Sequence, residues 1–311
     1  MSDANRATRR RILVVAHTGR ADAVEAGFRT VEVLLDHGVT PVLEPAVADA
    51  LTSIEPGRLR NGCDRLHGRA DHSEVELCIV LGGDGTILRA AEILRETGIP
   101  ILGVNLGHVG FLAESERDSL PYAVKRVLDR DYVVEQRMTL DLTITNAAGD
   151  VIAREWALND ASIEKVNRAK MLEVVVEVDG QPLSSFGCDG VIFSTPTGST
   201  AYSFSAGGPV VWPEVEAMLM VPISAHALFS KPVIVSTAST LAVEIVPRTG
   251  AAGVMWCDGR RQVDLPPGAR IEATTSSQPV TLARLHDAPF SRRLVEKFRL
   301  PTSGWRGPVP Q

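Results

Sequence analysis

Gly82-Gly83-Asp84-Gly85-Thr86 sets three glycines and one carboxylate where an apolar run gives way to a helical pattern. The run Val75–Leu81 reads as a buried strand, and Thr86–Glu96 reads as a helix. A strand-to-helix junction offers free backbone N–H groups and the positive end of a helix dipole, which suits a phosphate. Glycine allows the close approach such binding needs. Asp84 is the odd member, because a carboxylate beside a phosphate repels it. It makes sense if it faces a hydroxyl proton or a metal ion, so the loop points to chemistry on a hydroxyl next to a phosphate.

Other segments could line such a site. Gly103-Val104-Asn105-Leu106-Gly107-His108-Val109-Gly110-Phe111-Leu112 follows a strand, the place where open α/β sheets bind ligands. By itself it reads more readily as a turn needing positive φ, and its nearness to the Asp84 loop in chain order favours a place in the same crevice. Ser194-Thr195-Pro196-Thr197-Gly198-Ser199-Thr200-Ala201-Tyr202-Ser203-Phe204-Ser205 is dense in hydroxyls, which suit ribose and phosphate oxygens, although a helix-capping loop has the same composition. Asn159-Asp160 pairs an amide with a carboxylate, and in isolation reads as an Asx turn. Asp189, in Cys188-Asp189-Gly190, also reads alone as a turn.

These segments need elements to position them. Strand signals at Ile12–Ala16, Val39–Leu43, Val75–Leu81 and Pro100–Val104 alternate with helical spacing over Asp22–His37 and Thr86–Glu96. The alternation predicts a Rossmann-like α/β domain with a parallel sheet over 1–137. Asn61–Ser73 reads as a loop. From Met138 the rhythm changes to short strands, at Leu140–Thr145, Leu172–Val178, Leu241–Val246, Val254–Cys257, Arg270–Ala273 and Val280–Leu285. Turn signals such as Asp179-Gly180 and Asp258-Gly259 separate them. A β-rich domain of packed antiparallel strands is expected over 138–287, then a helix and tail over 288–311 that pack back on the first domain.

Composition bounds the rest. The chain has 311 residues, 44% apolar and 23% charged, within the range of ordinary globular proteins. A net charge of −6 argues against a general nucleic-acid binder. No apolar run reaches the roughly 18 residues of a membrane span, and no apolar signal-peptide core follows the basic N-terminus. Four scattered cysteines form no C-x-x-C pair, which fits a reducing cytoplasm. There is no Walker loop, no protein-kinase motif set, no G-x-G-x-x-G after the first strand, no nucleophile elbow and no H-E-x-x-H.

Taken together, Gly82–Thr86, Asn105–Leu112, Leu158-Asn159-Asp160, and Cys188-Asp189-Gly190 through Ser194–Ser203 resemble the bacterial NAD kinases, in that family's order and over most of the chain. The resemblance implies phosphorylation of the 2′-hydroxyl of the adenosine ribose of NAD to give NADP. ATP or inorganic polyphosphate would be the donor, with a divalent cation, usually Mg²⁺. It implies Asp84 as proton acceptor. Gly85, Arg89, Asn159, Asp160, Asp189, Thr200, Ala201, Tyr202 and Ser205 match dinucleotide contacts, and Lys170 falls where members carry a basic residue near the NAD phosphates. Two departures stand out: Asp160 replaces the usual Glu, and Gly187 stands where some members have a basic side chain. NAD bound between the two domains, and a homodimer or homotetramer, are further implications. The Gly-Gly-Asp-Gly-Thr loop also occurs in lipid kinases and phosphofructokinases. A sphingoid or diacylglycerol kinase and a non-catalytic NAD(P) sensor are therefore the alternatives. The Thr197–Tyr202 segment disfavours the first, and the carboxylate of Asp84 disfavours the second.

Overall fold

The computed structural model describes residues 9–68, 72, 74–106, 110–113, 120–167, 169–285 and 289–302. The chain divides into two compact units, Met1–Gln136 with Val280–Gln311, and Arg137–Pro279.

In the first unit, apolar runs alternate with amphipathic helices. β1 (Arg11–Ala16) leads to α1 (Ala21–Asp36), β2 (Thr40–Leu43), α2 (Pro45–Ile54), the short β3 (Asp64–Arg65), β4 (Leu77–Leu81), α3 (Asp84–Ile93), β5 (Ile101–Val104), α4 (Leu120–Leu128) and β6 (Val133–Arg137). β1, β4 and β5 are buried at every position, as strands covered by helices on both faces must be. α1 turns Ala23, Phe28, Val31 and Leu34 inward, and α4 turns Ala123, Val124 and Val127. Proline at the first position of α2 presets its φ where no N–H bond is lost. That helix, read from sequence only as unassigned chain, buries Val47, Ala48 and Leu51.

The second unit is antiparallel. One sheet holds β7 (Leu140–Thr145), β8 (Val151–Ala157), β10 (Leu172–Val178), β11 (Gln181–Cys188), β15 (Leu241–Ile245) and β18 (Arg270–Thr275). The other holds β9 (Asp160–Lys165), β12 (Gly190–Ser194), β13 (Ala217–Ile223), β14 (Val233–Ser236), β16 (Gly253–Cys257) and β17 (Arg261–Leu265). A single 3₁₀ turn, Thr197–Thr200, and the short helix α5 (Tyr202–Ser205) follow β12. Leu142, Val174, Val243 and Ile271 of one sheet and Ile163, Phe193, Met218 and Met255 of the other share one core. One hairpin turns on the two residues Asp179-Gly180 and another on the three residues Asp258-Gly259-Arg260, with positive φ at Asp179, Gly180, Asp258 and Gly259, the conformation such tight turns call for.

The chain then re-enters the first unit. β19 (Val280–Arg284) pairs in parallel with β5, and the sheet order is β3-β2-β1-β4-β5-β19-β6. This corrects the sequence boundary at 287: Val280–Leu285 carries a strand pattern that does not encode which sheet it joins. α6 (Phe290–Phe298) follows and stays within this unit. Phe290 and Phe298 each sit 5.8 Å, centroid to centroid, from Phe111. Arg293 donates to the Phe111 carbonyl at 3.1 Å.

Candidate active site

In the first unit the strand order reverses direction between β1 and β4. Such a switch point is where open α/β sheets form a ligand crevice, at the carboxyl ends of the strands. The loop after β4 lies there, tied on both sides by His17 N–H to the Leu81 carbonyl and Gly82 N–H to the Val104 carbonyl, each 3.0 Å. Gly83 caps α3, and Asp84 is its first residue. A Cβ added at Gly83 or Gly85 would meet nothing within 4 Å, so open space lies above the helix N-terminus. The carboxylate of Asp84 is held from the other side. Phe111 N–H donates to Oδ2 at 3.0 Å and Leu112 N–H to Oδ1 at 3.1 Å. Gly110 makes this possible, because a Cβ there would fall 2.3 Å from Asp84 Oδ1. The second glycine segment therefore meets the first at Gly110–Leu112, while Gly107, His108 and Val109 lie outside the described residues.

Arg89 is one turn further along α3. Its Nη2 donates to the Ala16 carbonyl at 2.7 Å and to Glu44 Oε2 at 2.8 Å, so it ties the end of β1 to the start of α2. Gly85 is exposed at the helix N-terminus.

In the second unit, a pocket of about 320 Å³ is lined by Asn159, Asp160, Ser162, Glu164, Ala201, Tyr202, Trp256, Asp258 and Gly259. Strand geometry explains the lining. Asp160, Ser162 and Glu164 alternate with Ala161 and Ile163 on β9, so the polar set shares the open face while the apolar pair enters the core. Trp256 pairs opposite Ser162 on β16 and stands on that same face. Ser162 Oγ donates to Glu164 Oε1 at 2.6 Å.

The hydroxyl-rich segment is used differently along its length. Thr195 Oγ1 donates to the Leu158 carbonyl at 2.6 Å and accepts from Gly198 N–H at 3.1 Å. Ser199 Oγ bonds both backbone groups of Val211. Ser194, Thr195 and Ser199 are thus buried structural hydroxyls. Gly198 lies flat on the preceding loop, where a Cβ would come within 1.9 Å of the Asn159 carbonyl. This close packing brings Ala201 and Tyr202 beside Asn159 and Asp160. Thr200 and the exposed Ser205 flank them without lining the pocket.

Asp160 is 5% exposed. Burial, the nearby Asp258 and Glu164 push its carboxyl up to about 7, against a lowering bond from the Tyr202 amide. At neutral pH it is therefore divided between acid and carboxylate and can either donate or accept. Asp189 sits at the other end of β9. Lys165, the last residue of that strand, pairs with it at 2.5 Å and holds its carboxyl below the usual range. Lys165 lies five residue steps along the strand from Asp160, roughly 16 Å at about 3.3 Å per step. Lys170 is exposed on the loop before β10, with its amide bonded to the Asn167 carbonyl. Among the described residues, no three His, Cys, Asp or Glu side chains converge as a metal-ligand set.

Sequence reasoning missed Ser162, Glu164, Trp256 and Asp258 as pocket residues and Lys165 as the partner of Asp189. The polar-apolar alternation of Asp160–Glu164 was the available signal for two of them. Asp258 was legible only as a turn residue.

The first unit carries a switch-point crevice with a carboxylate at a helix N-terminus, and the second unit carries within its own fold a polar, aromatic-lined pocket; both features belong to a nucleotide-handling enzyme class. The ATP-NAD kinase N-terminal domain model matches residues 12–132 and the ATP-NAD kinase C-terminal domain model matches 158–285. An NAD kinase of Leifsonia xyli is 58% identical over 302 residues, covering 97% of this chain and 98% of that protein. NAD kinase 2 of Streptomyces coelicolor is 55% identical, covering 96% and 97%. Yeast NADH kinase in complex with NADH superposes with a TM-score of 0.85 at 23% identity, covering 95% of this chain and 89% of that one. An Archaeoglobus fulgidus NAD kinase in complex with ATP gives 0.67 at 25% identity, covering 94% and 99%. The chain belongs to the ATP-NAD kinase family, and it phosphorylates NAD to NADP.

Proposed function

We propose that Asp84 is the proton acceptor of this NAD kinase and that ATP is its phosphoryl donor. The observation that carries the first point is the fixed carboxylate on the N-terminal residue of α3, with open space beside Gly83 and Gly85. Two amides orient it, and each oxygen keeps a further lone pair for the 2′-hydroxyl proton. The helix N-terminus favours the phosphate charge beside it. Arg89 acts by anchoring the loop region through Ala16 and Glu44, and Gly85 offers its backbone to the dinucleotide. Asn159, Asp160, Ala201 and Tyr202 contact NAD in their pocket, with Asp189, Thr200, Ser205 and Lys170 supplying outer contacts. The ATP complex of the archaeal relative supports ATP. Inorganic polyphosphate is a second donor to be tested.

A divalent cation, Mg²⁺, neutralises charge on the donor phosphates. Mg²⁺ commonly binds through substrate phosphates rather than an all-protein cage, which fits the lack of a convergent ligand set among the described residues. The protein works as a homodimer or homotetramer in the cytoplasm. Four unpaired thiols, Cys63, Cys78, Cys188 and Cys257, suit a reducing compartment. Among the described residues no helix is long and apolar enough to cross a membrane.

The test is NADP formation from NAD, read with an NADP-specific dehydrogenase. ATP with Mg²⁺ is expected to support it, EDTA to stop it, and added Mg²⁺ to restore it. Turnover unaffected by EDTA overturns the metal requirement, and polyphosphate supporting a higher rate than ATP overturns the donor assignment. Size-exclusion chromatography with light scattering checks the oligomer.

A further inference from the structure

We propose that Asp258 is the positioning residue of the NAD pocket: its buried carboxylate clamps the peptide units of Leu158, Asn159 and Asp160, and Arg261 holds the clamp in place. The inference rests on the assignment of Asn159 and Asp160 as NAD contacts.

Three amides converge on one side chain. Asp258 Oδ2 accepts from Leu158 N–H at 3.0 Å. Its Oδ1 accepts from Asn159 N–H at 2.7 Å and from Asp160 N–H at 3.3 Å. The clamp closes in the reverse direction as well, because Asp258 N–H donates to the Asp160 carbonyl at 2.8 Å. The Asp258 side chain is 2% exposed, so these bonds form away from water, where leaving an amide unpaired is costly. Its place is set by the hairpin turn between β16 and β17, at φ +54°. Arg261 is the first residue after that turn region. It donates to Asp258 Oδ2 at 3.2 Å, to Glu155 at 2.9 Å and to the Trp156 carbonyl at 2.8 Å. Its guanidinium also stacks on the Trp156 ring at 4.5 Å. A hairpin distant in sequence thus fixes residues 156 to 160 from one side, while Thr195 bonds the carbonyls of Leu158 and Asn159 from the other and Gly198 packs closely on Asn159.

The charge is retained for a reason beyond packing. Burial raises the Asp258 carboxyl from its ordinary value, and the three amides and Arg261 oppose this. Its residual negative charge acts on Asp160, which also faces Glu164 of β9, the Tyr202 amide and phenol of α5, and the Cys257 thiol. Asp258 therefore sets both the position of the Asn159-Asp160 pair and the proton affinity of Asp160.

The full-length protein tests this in four forms: wild type, Asp258→Asn, Arg261→Lys and Asn159→Ala. Isothermal titration with NAD alone is expected to give at least a tenfold weaker Kd for Asp258→Asn and a smaller loss for Arg261→Lys. Carbon NMR of the ligand-free protein is expected to place the Asp160 titration lower in Asp258→Asn, because a like charge has gone. A role confined to stability would weaken NAD binding and melting together and leave that titration where it was. Folded Asp258→Asn with wild-type NAD affinity, or with an unmoved Asp160 titration, overturns the proposal. Should Asp258→Asn not fold, the outcome passes to Arg261→Lys, where unchanged affinity and an unchanged Asp160 titration overturn it equally. Wild-type affinity in Asn159→Ala would instead sink the site assignment beneath it.

Discussion

A methyl group at position 110 would sit 2.3 Å from Asp84 Oδ1, far inside contact distance. Gly110→Ala must push the carboxylate off its two amides, so kcat should fall well over tenfold while NAD affinity holds, as steady-state kinetics and titration would reveal. Asp84→Asn keeps the shape but removes the base; kcat is expected to drop about 10²–10⁴-fold with NAD still bound. A turnover near wild type would take Asp84 out of its role. Asp160 governs a different observable. Its carboxyl titrates at about 7 in the folded protein and near the ordinary carboxylate value when unfolded. Between about pH 4 and about pH 7 the folded state therefore holds the extra proton, and stability falls as pH rises through that window. Above it the dependence is gone. Asp160→Asn should flatten this slope in urea unfolding measured across pH; an unchanged slope would mean that another group carries it.

At the scale of elements, the C-terminal helix bears on the catalytic loop. α6 covers Phe111 with Phe290 and Phe298, and Phe111 donates one of the two amides that hold Asp84. Arg284 of β19 adds a bond to the Leu112 carbonyl at 3.1 Å while pairing with Glu135 at 2.7 Å. Phe298→Ala should cost about 0.5–1.5 kcal/mol from the aromatic contact alone. It should also lower kcat more than it changes KM for NAD; an equal loss of both, or of neither, would count against the coupling. Most elements were legible: β1, β4, β5 and α1 have strong apolar patterns and shift by only a residue or two from their expected ends. α2 was not, because its Pro45 and Ser/Thr-containing sequence resembles a connection, and its three buried residues matter only once β1 lies beneath it. The sheet joined by β19 was equally hidden, since alternation reports burial and not the identity of the neighbouring strand.

Over the whole molecule, each unit is stabilised by a large apolar core of its own. Phe193 on β12 is fully buried in the core of the second unit. Phe193→Ala should cost about 3–5 kcal/mol, seen as a lower denaturation midpoint. Because β12 runs into the Thr197–Ser205 segment, NAD affinity should weaken with it. The sequence by itself determined the family and the change from α/β to antiparallel β, and it singled out Asp84, Asn159, Asp160 and Tyr202 as the residues proposed for the site. Those features are local: a glycine loop between a strand and a helix, or a run of hydroxyls, is written in consecutive residues. Only the tertiary structure decided that Gly110–Leu112 grips Asp84, that Arg89 is spent on Ala16 and Glu44, that Lys165 answers Asp189, and that Asp258 clamps residues 158–160. Each of these joins residues far apart in sequence, and a turn aspartate looks the same whether its carboxylate faces water or three buried amides. Burial and convergence give such a side chain its role, and both arise only when the strands have paired.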